Sequence, residues 1–159
     1  MKVAIIMGSD SDWGVMKAAV DTLKKFGVDV KLTIASAHRT PAKVHDFVKN
    51  SDAQIFIAVA GMAAHLAGVV ASFTTKPVIG VPINSEPFKG LDSLLSTVQM
   101  PGGVPVATMA VNGAKNAALF AVEILALQDN ELAKKLISYR EQMAEEIELK
   151  DKRIKEELS

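Results

Sequence analysis

Apolar and amphipathic segments alternate along most of this chain. A short, almost continuous apolar run at residues 3–7 predicts a strand buried on both faces, and further strands are predicted at 28–35, 55–60, 77–82 and 104–111. Apolar residues at helical spacing predict helices over 13–26, 41–50, 91–98 and 114–127, with a shorter helix of small residues within 61–72. Gly27 is placed to end the first helix, because glycine readily adopts the left-handed conformation that follows a helix.

Strand–helix alternation at this spacing is typical of a parallel sheet covered by helices on both faces. We therefore predict an α/β protein with a three-layer, flavodoxin-like arrangement and the strand order 2-1-3-4-5. In open sheets of this kind, ligands bind beyond the carboxyl ends of the strands. The loops at 8–12, 36–41 and 61–68 are expected to converge there.

The last segment has a different pattern. From Asn130 onward the chain is charged and helix-forming, and its aliphatic residues repeat every eleven positions. These residues are Leu132, Leu136, Met143, Ile147, Ile154 and Leu158. Such a helix would be roughly 40 Å long, which exceeds the body of a domain of this size. We predict a catalytic domain at 1–128 and a helix at 129–159 that packs on neighbouring subunits; fraying of its end in solvent is the alternative.

Composition excludes several classes of function. Of the 159 residues, 18 are Lys or Arg and 18 are Asp or Glu, and no basic stripe precedes the last helix, so a nucleic-acid partner is not expected. No apolar run reaches the length that crosses a bilayer. Cysteine is absent, which excludes thiolate catalysis and disulfides and fits a reducing compartment. We expect a cytoplasmic protein.

The segment 36–41 (Ser-Ala-His-Arg-Thr-Pro) carries the clearest candidate chemistry. It follows the second predicted strand, and Pro41 suits the first turn of a helix, with Thr40 as its N-cap. The unperturbed imidazole suits proton transfer near neutral pH, so His38 is a candidate acid–base group, although a lone histidine is often structural. Arg39 suits a phosphate, which guanidinium binds by two parallel hydrogen bonds, or else a surface carboxylate.

Two further loops are candidate binding elements. The loop 8–12 (Gly-Ser-Asp-Ser-Asp) is either a turn with Ser11 or Asp12 as an N-cap or part of a ligand site. Its carboxylates would repel a phosphate, but Asp12 would accept hydrogen bonds from the hydroxyls of a sugar. The small residues of 61–68 allow close approach of a ligand or close helix packing. His45 is interpreted as non-catalytic, and the spacing of the three histidines predicts no metal site.

Several strings together identify a resemblance that runs from about residue 3 to residue 127. The strings are 7–12 (Met-Gly-Ser-Asp-Ser-Asp), 36–41, 63–66 (Ala-Ala-His-Leu), 77–82 (Pro-Val-Ile-Gly-Val-Pro), 92–95 (Asp-Ser-Leu-Leu) and 98–108 (Val-Gln-Met-Pro-Gly-Gly-Val-Pro-Val-Ala-Thr). In this order and spacing the chain resembles the N5-carboxyaminoimidazole ribonucleotide mutases of purine biosynthesis, known as PurE. The set is specific, whereas any single string is not.

The resemblance implies a homo-octamer that uses no metal or organic cofactor. It implies that a carboxyl group moves from the exocyclic nitrogen of the imidazole to ring carbon 4, by decarboxylation and recapture of carbon dioxide. His38 would carry the proton. The resemblance also implies the residues that bind the ribonucleotide. Arg39 would face the phosphate and Asp12 the ribose, and Ser9, Ser11, Ser36, Ala60, Gly61, Met62 and His65 complete the expected set.

The chain departs from the family pattern at two positions. Met62 stands where members usually have glycine, and Ala67 where they usually have proline. If the usual glycine has a positive φ, Met62 costs strain or shifts the loop, and we predict weaker nucleotide binding with the same reaction. Losing the proline gives the unliganded loop more freedom.

Two other functions stay open at this stage. A related branch carboxylates aminoimidazole ribonucleotide with free carbon dioxide, but it usually has lysine at the position of Arg39 and Gly-Arg-Ser-Asn in the small-residue loop. The more remote alternative is a non-catalytic module that binds a sugar phosphate and does not need His38.

Overall fold

The computed structural model describes residues 1–158, which form alternating strands and helices. The strands are β1 (Lys2–Met7), β2 (Asp29–Ile34), β3 (Ile55–Gly61), β4 (Val78–Ile83) and β5 (Ala107–Thr108). A 3-10 turn at Asp10–Asp12 precedes the first helix. The helices are α1 (Trp13–Lys25), α2 (Pro41–Lys49), α3 (Leu66–Ser72), α4 (Leu91–Val98), α5 (Ala114–Ala126) and α6 (Asn130–Glu157).

The five strands form one parallel sheet in the order β2-β1-β3-β4-β5, which confirms the predicted fold and strand order. The central strands β1, β3 and β4 are almost wholly buried, as their continuous apolar runs predict. Strand β2 lies at an edge and alternates between half-buried and exposed residues. Gly27 ends α1 with a φ of 79°, in the left-handed conformation predicted for it.

Helices cover both faces of the sheet because side chains alternate between faces along each strand. On one face, Ile6 and Phe56 pack in a core cluster with Val44 of α2 and Val70 of α3. The residues that point the other way are equally buried. That second layer contains the fully buried Met16, Ala19 and Leu23 of α1 together with Ala117 and Ala121 of α5.

Helix α4 packs against β4 so closely that only glycine fits at position 80. A Cβ on Gly80 would lie 2.4 Å from Cγ2 of Thr97 and 3.2 Å from Cβ of Ala67. Thr97 is buried and donates a hydrogen bond to the Ser93 carbonyl at 2.7 Å. This contact fixes α4 against β4, and the Ser93 hydroxyl extends it to the end of the strand by donating a hydrogen bond to the Ile83 carbonyl.

One local prediction was wrong, and a second is confirmed in position only. The fifth strand was predicted over 104–111 but contains only Ala107 and Thr108. Val104 donates its N–H back to the Pro101 carbonyl in a turn, and Pro105 has no N–H for a ladder. Thr40 occupies the N-cap position of α2 but makes no cap bond there, because its hydroxyl is hydrogen-bonded to the backbone of Ser36 instead.

The chain divides into two compact units, Met1–Val122 and Glu123–Ser159. The second contains α6, a helix of 28 residues whose N-cap is the Asp129 side chain. Within this unit Leu132 is buried and Arg140 donates a hydrogen bond to Glu123 at 2.8 Å. The later apolar residues of α6 are exposed. Those that belong to the eleven-residue repeat are Met143, Ile147 and Ile154, and Leu158, which follows α6, is exposed as well. The predicted boundary after residue 128 stays a prediction.

Candidate active site

The carboxyl ends of the central strands surround a cavity of about 660 Å³. Met7, the last residue of β1, pairs with Ile34, the last residue of β2, and with Val59 of β3, which runs two residues further to Gly61. The loops that follow β1, β2 and β3 line the cavity, as the rule for open parallel sheets predicts.

The first loop is organised around the buried carboxylate of Asp12. Asp12 is only 5% exposed and accepts a hydrogen bond from the Ser9 N–H at 3.1 Å, while the Ser9 side chain accepts one from the Ser11 N–H. Ser9 is therefore the N-cap of this turn, while Asp12, one of the two N-caps that the turn interpretation suggested, occupies the N-cap position of α1 without a side-chain cap bond. Burial raises the pKa of Asp12 and outweighs the hydrogen bonds from Ser9 and Ser11, which lower it.

The second loop brings Arg39 across to the first. The Arg39 Nη2 donates a hydrogen bond to the Gly8 carbonyl at 2.9 Å, and the Arg39 N–H donates one to the Ser36 Oγ at 3.2 Å. The guanidinium is near enough to favour ionisation of Asp12. One side of the cavity therefore has a carboxylate, a guanidinium and hydroxyls, which suit a ligand with both anionic and hydroxyl groups.

A pair of histidines joins the second and third loops. The Nε2 of His38 lies 3.0 Å from the Nδ1 of His65, and the rings are nearly perpendicular, at 80°. In such a bond one ring nitrogen donates and the other accepts, so one imidazole of the pair has a lone pair directed at its neighbour. His38 lines the cavity, whereas His65 lies beside it without contributing to the cavity wall.

The third loop begins with a strained residue. Met62 has a φ of 56°, in the left-handed region that favours glycine, and its side chain is 63% exposed. The sequence analysis predicted strain at Met62 if this position has a positive φ, and the structure shows that it does. Helix α4 holds the loop on its far side, where Ser96 Oγ accepts a hydrogen bond from the Ala64 N–H at 2.9 Å.

The structure brings the predicted residues together with one exception. Those that line the cavity are Ser9, Ser11, Asp12, Ser36, His38, Arg39, Ala60, Gly61 and Met62. The exception is His65, which does not line the cavity but is hydrogen-bonded to His38. Their assigned roles stay predictions. His45, interpreted as non-catalytic, lies on α2 with its ring edge-on to Phe73 and its Nδ1 3.0 Å from Asp46.

Sequence reasoning missed a wall of the cavity formed by Ile83, Asn84 and Ser85. Ser85 Oγ is buried and has no hydrogen-bond partner within residues 1–158. A Cβ on Gly61 would lie 3.7 Å from that oxygen, so the hydroxyl stands directly behind the third loop. Their position in the sequence could have identified them, because they lie at the end of β4, which is next to β3 in the predicted strand order.

The part of the chain that the structure describes has no group of three or more His, Asp or Glu side chains that could hold a metal ion. Over the same residues, no helix has both the length and the apolar character needed to cross a membrane.

Comparisons with known proteins agree over almost the whole chain. The family described as AIR carboxylase matches residues 2–146. The chain is 56% identical over 154 residues to an N5-carboxyaminoimidazole ribonucleotide mutase of Methanocaldococcus jannaschii, covering 97% of this chain and 98% of that protein. It is 51% identical to the mutase of Thermotoga maritima, covering 98% and 92%. The crystal structure of Treponema denticola PurE aligns with a TM-score of 0.87 at 35% identity, covering 96% and 97%. This chain belongs to the AIR carboxylase family.

Proposed function

We propose that this protein is an N5-carboxyaminoimidazole ribonucleotide mutase of purine biosynthesis, an isomerase that forms 4-carboxy-5-aminoimidazole ribonucleotide. Relatives that are 48–56% identical over nearly the full chain have this name. The observation that carries the proposal is the position of His38, at the wall of a cavity that also presents the guanidinium of Arg39 and the carboxylate of Asp12.

The two ends of the ribonucleotide match the two kinds of polar group in the cavity. Arg39 binds the phosphate by charge-assisted hydrogen bonds, and the hydroxyls of Ser9, Ser11 and Ser36 complete this part of the site. Asp12 accepts hydrogen bonds from the ribose hydroxyls. The Gly8 carbonyl holds the guanidinium in place before the ligand arrives, which lowers the entropy lost on binding.

A single acid–base group is enough for both proton transfers of the reaction. When the bond between the exocyclic nitrogen and the carboxyl carbon breaks, carbon dioxide leaves and the electron pair stays on nitrogen, which takes a proton. Ring carbon 4 then attacks carbon dioxide, forms the new carbon–carbon bond and gives up its own proton to restore the aromatic ring. One proton is gained and one is lost, so His38 can supply the first and accept the second. General acid–base catalysis of this kind contributes about 100- to 10,000-fold.

The apolar side of the cavity suits the intermediate. Carbon dioxide is small and neutral, so few groups can hold it, and keeping it beside the nucleophilic carbon supplies most of the advantage by proximity. Ala60 and Gly61 present backbone and small side chains there, and Leu66 adds an apolar surface. The site then needs no further reacting group.

We infer further that the working enzyme is a cytoplasmic homo-oligomer and, following the family resemblance, an octamer. Exposed apolar residues on two helices support self-association. On α4 these are Leu91, Leu95 and Val98, one turn or two turns apart, and on α6 they continue the eleven-residue repeat. The helix α6 supplies one of the surfaces that neighbouring subunits cover.

A spectrophotometric assay with two substrates, offered separately, tests the reaction. We expect fast conversion of N5-carboxyaminoimidazole ribonucleotide and slow turnover of aminoimidazole ribonucleotide with excess bicarbonate. The reverse preference would identify a carboxylase that uses free carbon dioxide, despite Arg39. Failure to convert either substrate, with binding retained, would indicate the sugar-phosphate-binding module.

A further inference from the structure

Met62 combines two unfavourable features at the rim of the cavity. Its left-handed backbone costs a residue with a side chain roughly 1–2 kcal/mol, and its apolar side chain is 63% exposed. The other non-glycine residues with positive φ in the part of the chain described are Lys89 and Asn112, and neither lines this cavity. Strain of this kind at a cavity wall is typical of a residue placed for function.

The surroundings fix the backbone of Met62 and leave its side chain free. Ser96 of α4 accepts a hydrogen bond from the Ala64 N–H at 2.9 Å, and its hydroxyl lies 3.4 Å from the Met62 carbonyl oxygen. On the other side, Gly61 is the last residue of β3 and pairs with Ile83 of β4. The loop is therefore held at both ends, and the movable part at the rim is the methionine side chain.

The cavity is open and much larger than the molecule it must retain. Its volume of about 660 Å³ accommodates a whole ribonucleotide, and the walls nearest Met62 are the apolar Ala63 and Leu66. An unhydrated gas has no charge by which a side chain can hold it, so retention depends on closing the path to solvent. A methionine suits that task, because three rotatable bonds and a polarisable thioether let it fill an irregular gap.

We propose that the Met62 side chain folds over the bound nucleotide and closes the cavity while carbon dioxide is free, so that Met62 determines how often the intermediate is recaptured and not lost. This inference rests on the proposed mutase reaction and adds to it a retention step carried by one residue. The proposal also explains the strained backbone of Met62, since the left-handed conformation places its side chain at the rim of the cavity.

Label retention tests this role. The substrate carries ¹³C in its transferable carboxyl group, the buffer contains unlabelled bicarbonate, and the ¹³C content of the product and the amount of aminoimidazole ribonucleotide released are measured after subtracting the reaction without enzyme. Met62→Ala keeps the Cβ and the backbone strain but removes the cover. We expect it to release about tenfold more aminoimidazole ribonucleotide per product than the unsubstituted protein, the factor expected when an apolar contact of methionine size is lost.

Two variants serve as controls. Met62→Leu restores an apolar side chain of similar volume and should recover most of the label retention. Leu127→Ala removes an apolar side chain that is 85% exposed and lies outside the cavity, and should retain label like the unsubstituted protein. Equal retention in Met62→Ala and the unsubstituted protein would overturn the proposal. If the unsubstituted protein failed to convert the labelled substrate at all, the mutase reaction itself would be wrong, which is a different result.

Discussion

The Nε2 of His38 lies 3.0 Å from the Nδ1 of His65, and only His38 reaches the cavity. The bond fixes the orientation of the His38 ring and, through the donor and acceptor roles of the two nitrogens, influences which of them carries a proton. Since the proposed reaction needs one proton carrier, we expect His65 to act as a positioning residue for His38.

Substituting the two histidines separately should give unequal effects. We expect His38→Asn to lower kcat by about 100- to 10,000-fold with nucleotide affinity retained, because it removes the acid–base group. His65→Asn should lower kcat less than about tenfold, since a neutral hydrogen bond contributes only about 1 kcal/mol. Steady-state rates over a range of pH, with nucleotide binding measured by calorimetry, distinguish the two. The His65→Asn variant should also displace the pH profile of kcat.

An equal loss of kcat in both variants would contradict this division of roles and make His65 part of the proton transfer. Retained activity in His38→Asn would favour the binding module instead. His45→Asn is the matched control, because His45 lies on α2 outside the cavity, and its kcat should be unchanged.

Asp12 gives a prediction about pH and stability. Because burial raises its pKa above the ordinary 3.8, the carboxyl is harder to ionise in the folded protein than in the unfolded chain. The folded state is thus favoured while Asp12 is protonated, and this contribution is lost as pH rises from 3.8 through the raised pKa. Urea unfolding at several pH values should show Asp12→Asn gaining stability relative to the unsubstituted protein as pH rises through that interval.

The same substitution should weaken substrate binding at neutral pH. The amide of Asp12→Asn would offer a neutral acceptor to the ribose hydroxyls, and hydrogen bonds to charged groups contribute about 1.5–3 kcal/mol, so we expect KM to rise about tenfold or more. Asp10→Asn is the control, because Asp10 is exposed and lies outside the cavity wall.

For the stability prediction, a difference between Asp12→Asn and the unsubstituted protein that did not vary with pH would contradict the burial argument.

The sequence predicted the sheet well because its signals are local. Apolar runs and helical spacing located β1 to β4 and the helices α1 to α6, and the connection rules for parallel sheets then left few strand orders to choose between. The predicted bounds of the fifth strand were wrong because Val104 and Val106 pack against the core without belonging to a strand. Apolar pattern alone cannot separate these two uses.

The sequence predicts those parts of the site that directly follow a strand. It does not predict contacts between residues that are far apart in the sequence. The loops with His38 and Asp12 are indicated by polar residues directly after apolar runs. The pairing of His38 with His65 joins residues 27 positions apart, and no periodicity encodes it. The hydroxyl of Ser85, which has no hydrogen-bond partner among residues 1–158, likewise becomes apparent only once β4 lies beside β3.

Arg39→Lys should separate binding from chemistry. Lysine keeps the charge but cannot form the two parallel hydrogen bonds that a guanidinium makes to phosphate. It also cannot reproduce the planar donor geometry at the Gly8 carbonyl. We expect KM to rise about tenfold with kcat changed less than about threefold, the pattern of lost ground-state binding. Ribose 5-phosphate, used as a competitive inhibitor, should lose affinity by a similar factor.

The control for Arg39→Lys is Arg140→Lys, in which an exposed arginine paired with Glu123 is changed in the same way. Its KM should equal that of the unsubstituted protein. An unchanged KM in Arg39→Lys would place the phosphate elsewhere in the cavity.

Met62→Gly should improve nucleotide binding. Glycine adopts a positive φ without the strain that methionine incurs, so the loop can adjust to the ligand at less cost. A difference of about 1 kcal/mol would lower KM about fivefold. Met62→Ala separates strain from side-chain removal, because alanine retains the strain and should not show the lower KM expected of glycine. The prediction fails if KM is the same in Met62→Gly.

The end of α6 should contribute to self-association. Ile154 and Leu158 are 49% and 82% exposed and continue the apolar repeat that begins at Leu132, so the stripe extends beyond anything that the second unit covers by itself. Deleting residues 151–159 should therefore produce smaller assemblies at micromolar concentration, measured by light scattering after size-exclusion chromatography. Ile154→Asp in the full chain tests the same surface without shortening the helix, and Lys152→Asp, on a charged position of α6, is its control. If the deletion and Ile154→Asp both left the mass unchanged, the last turns of α6 would have no part in assembly, and the exposed stripe on α4 would have to carry it.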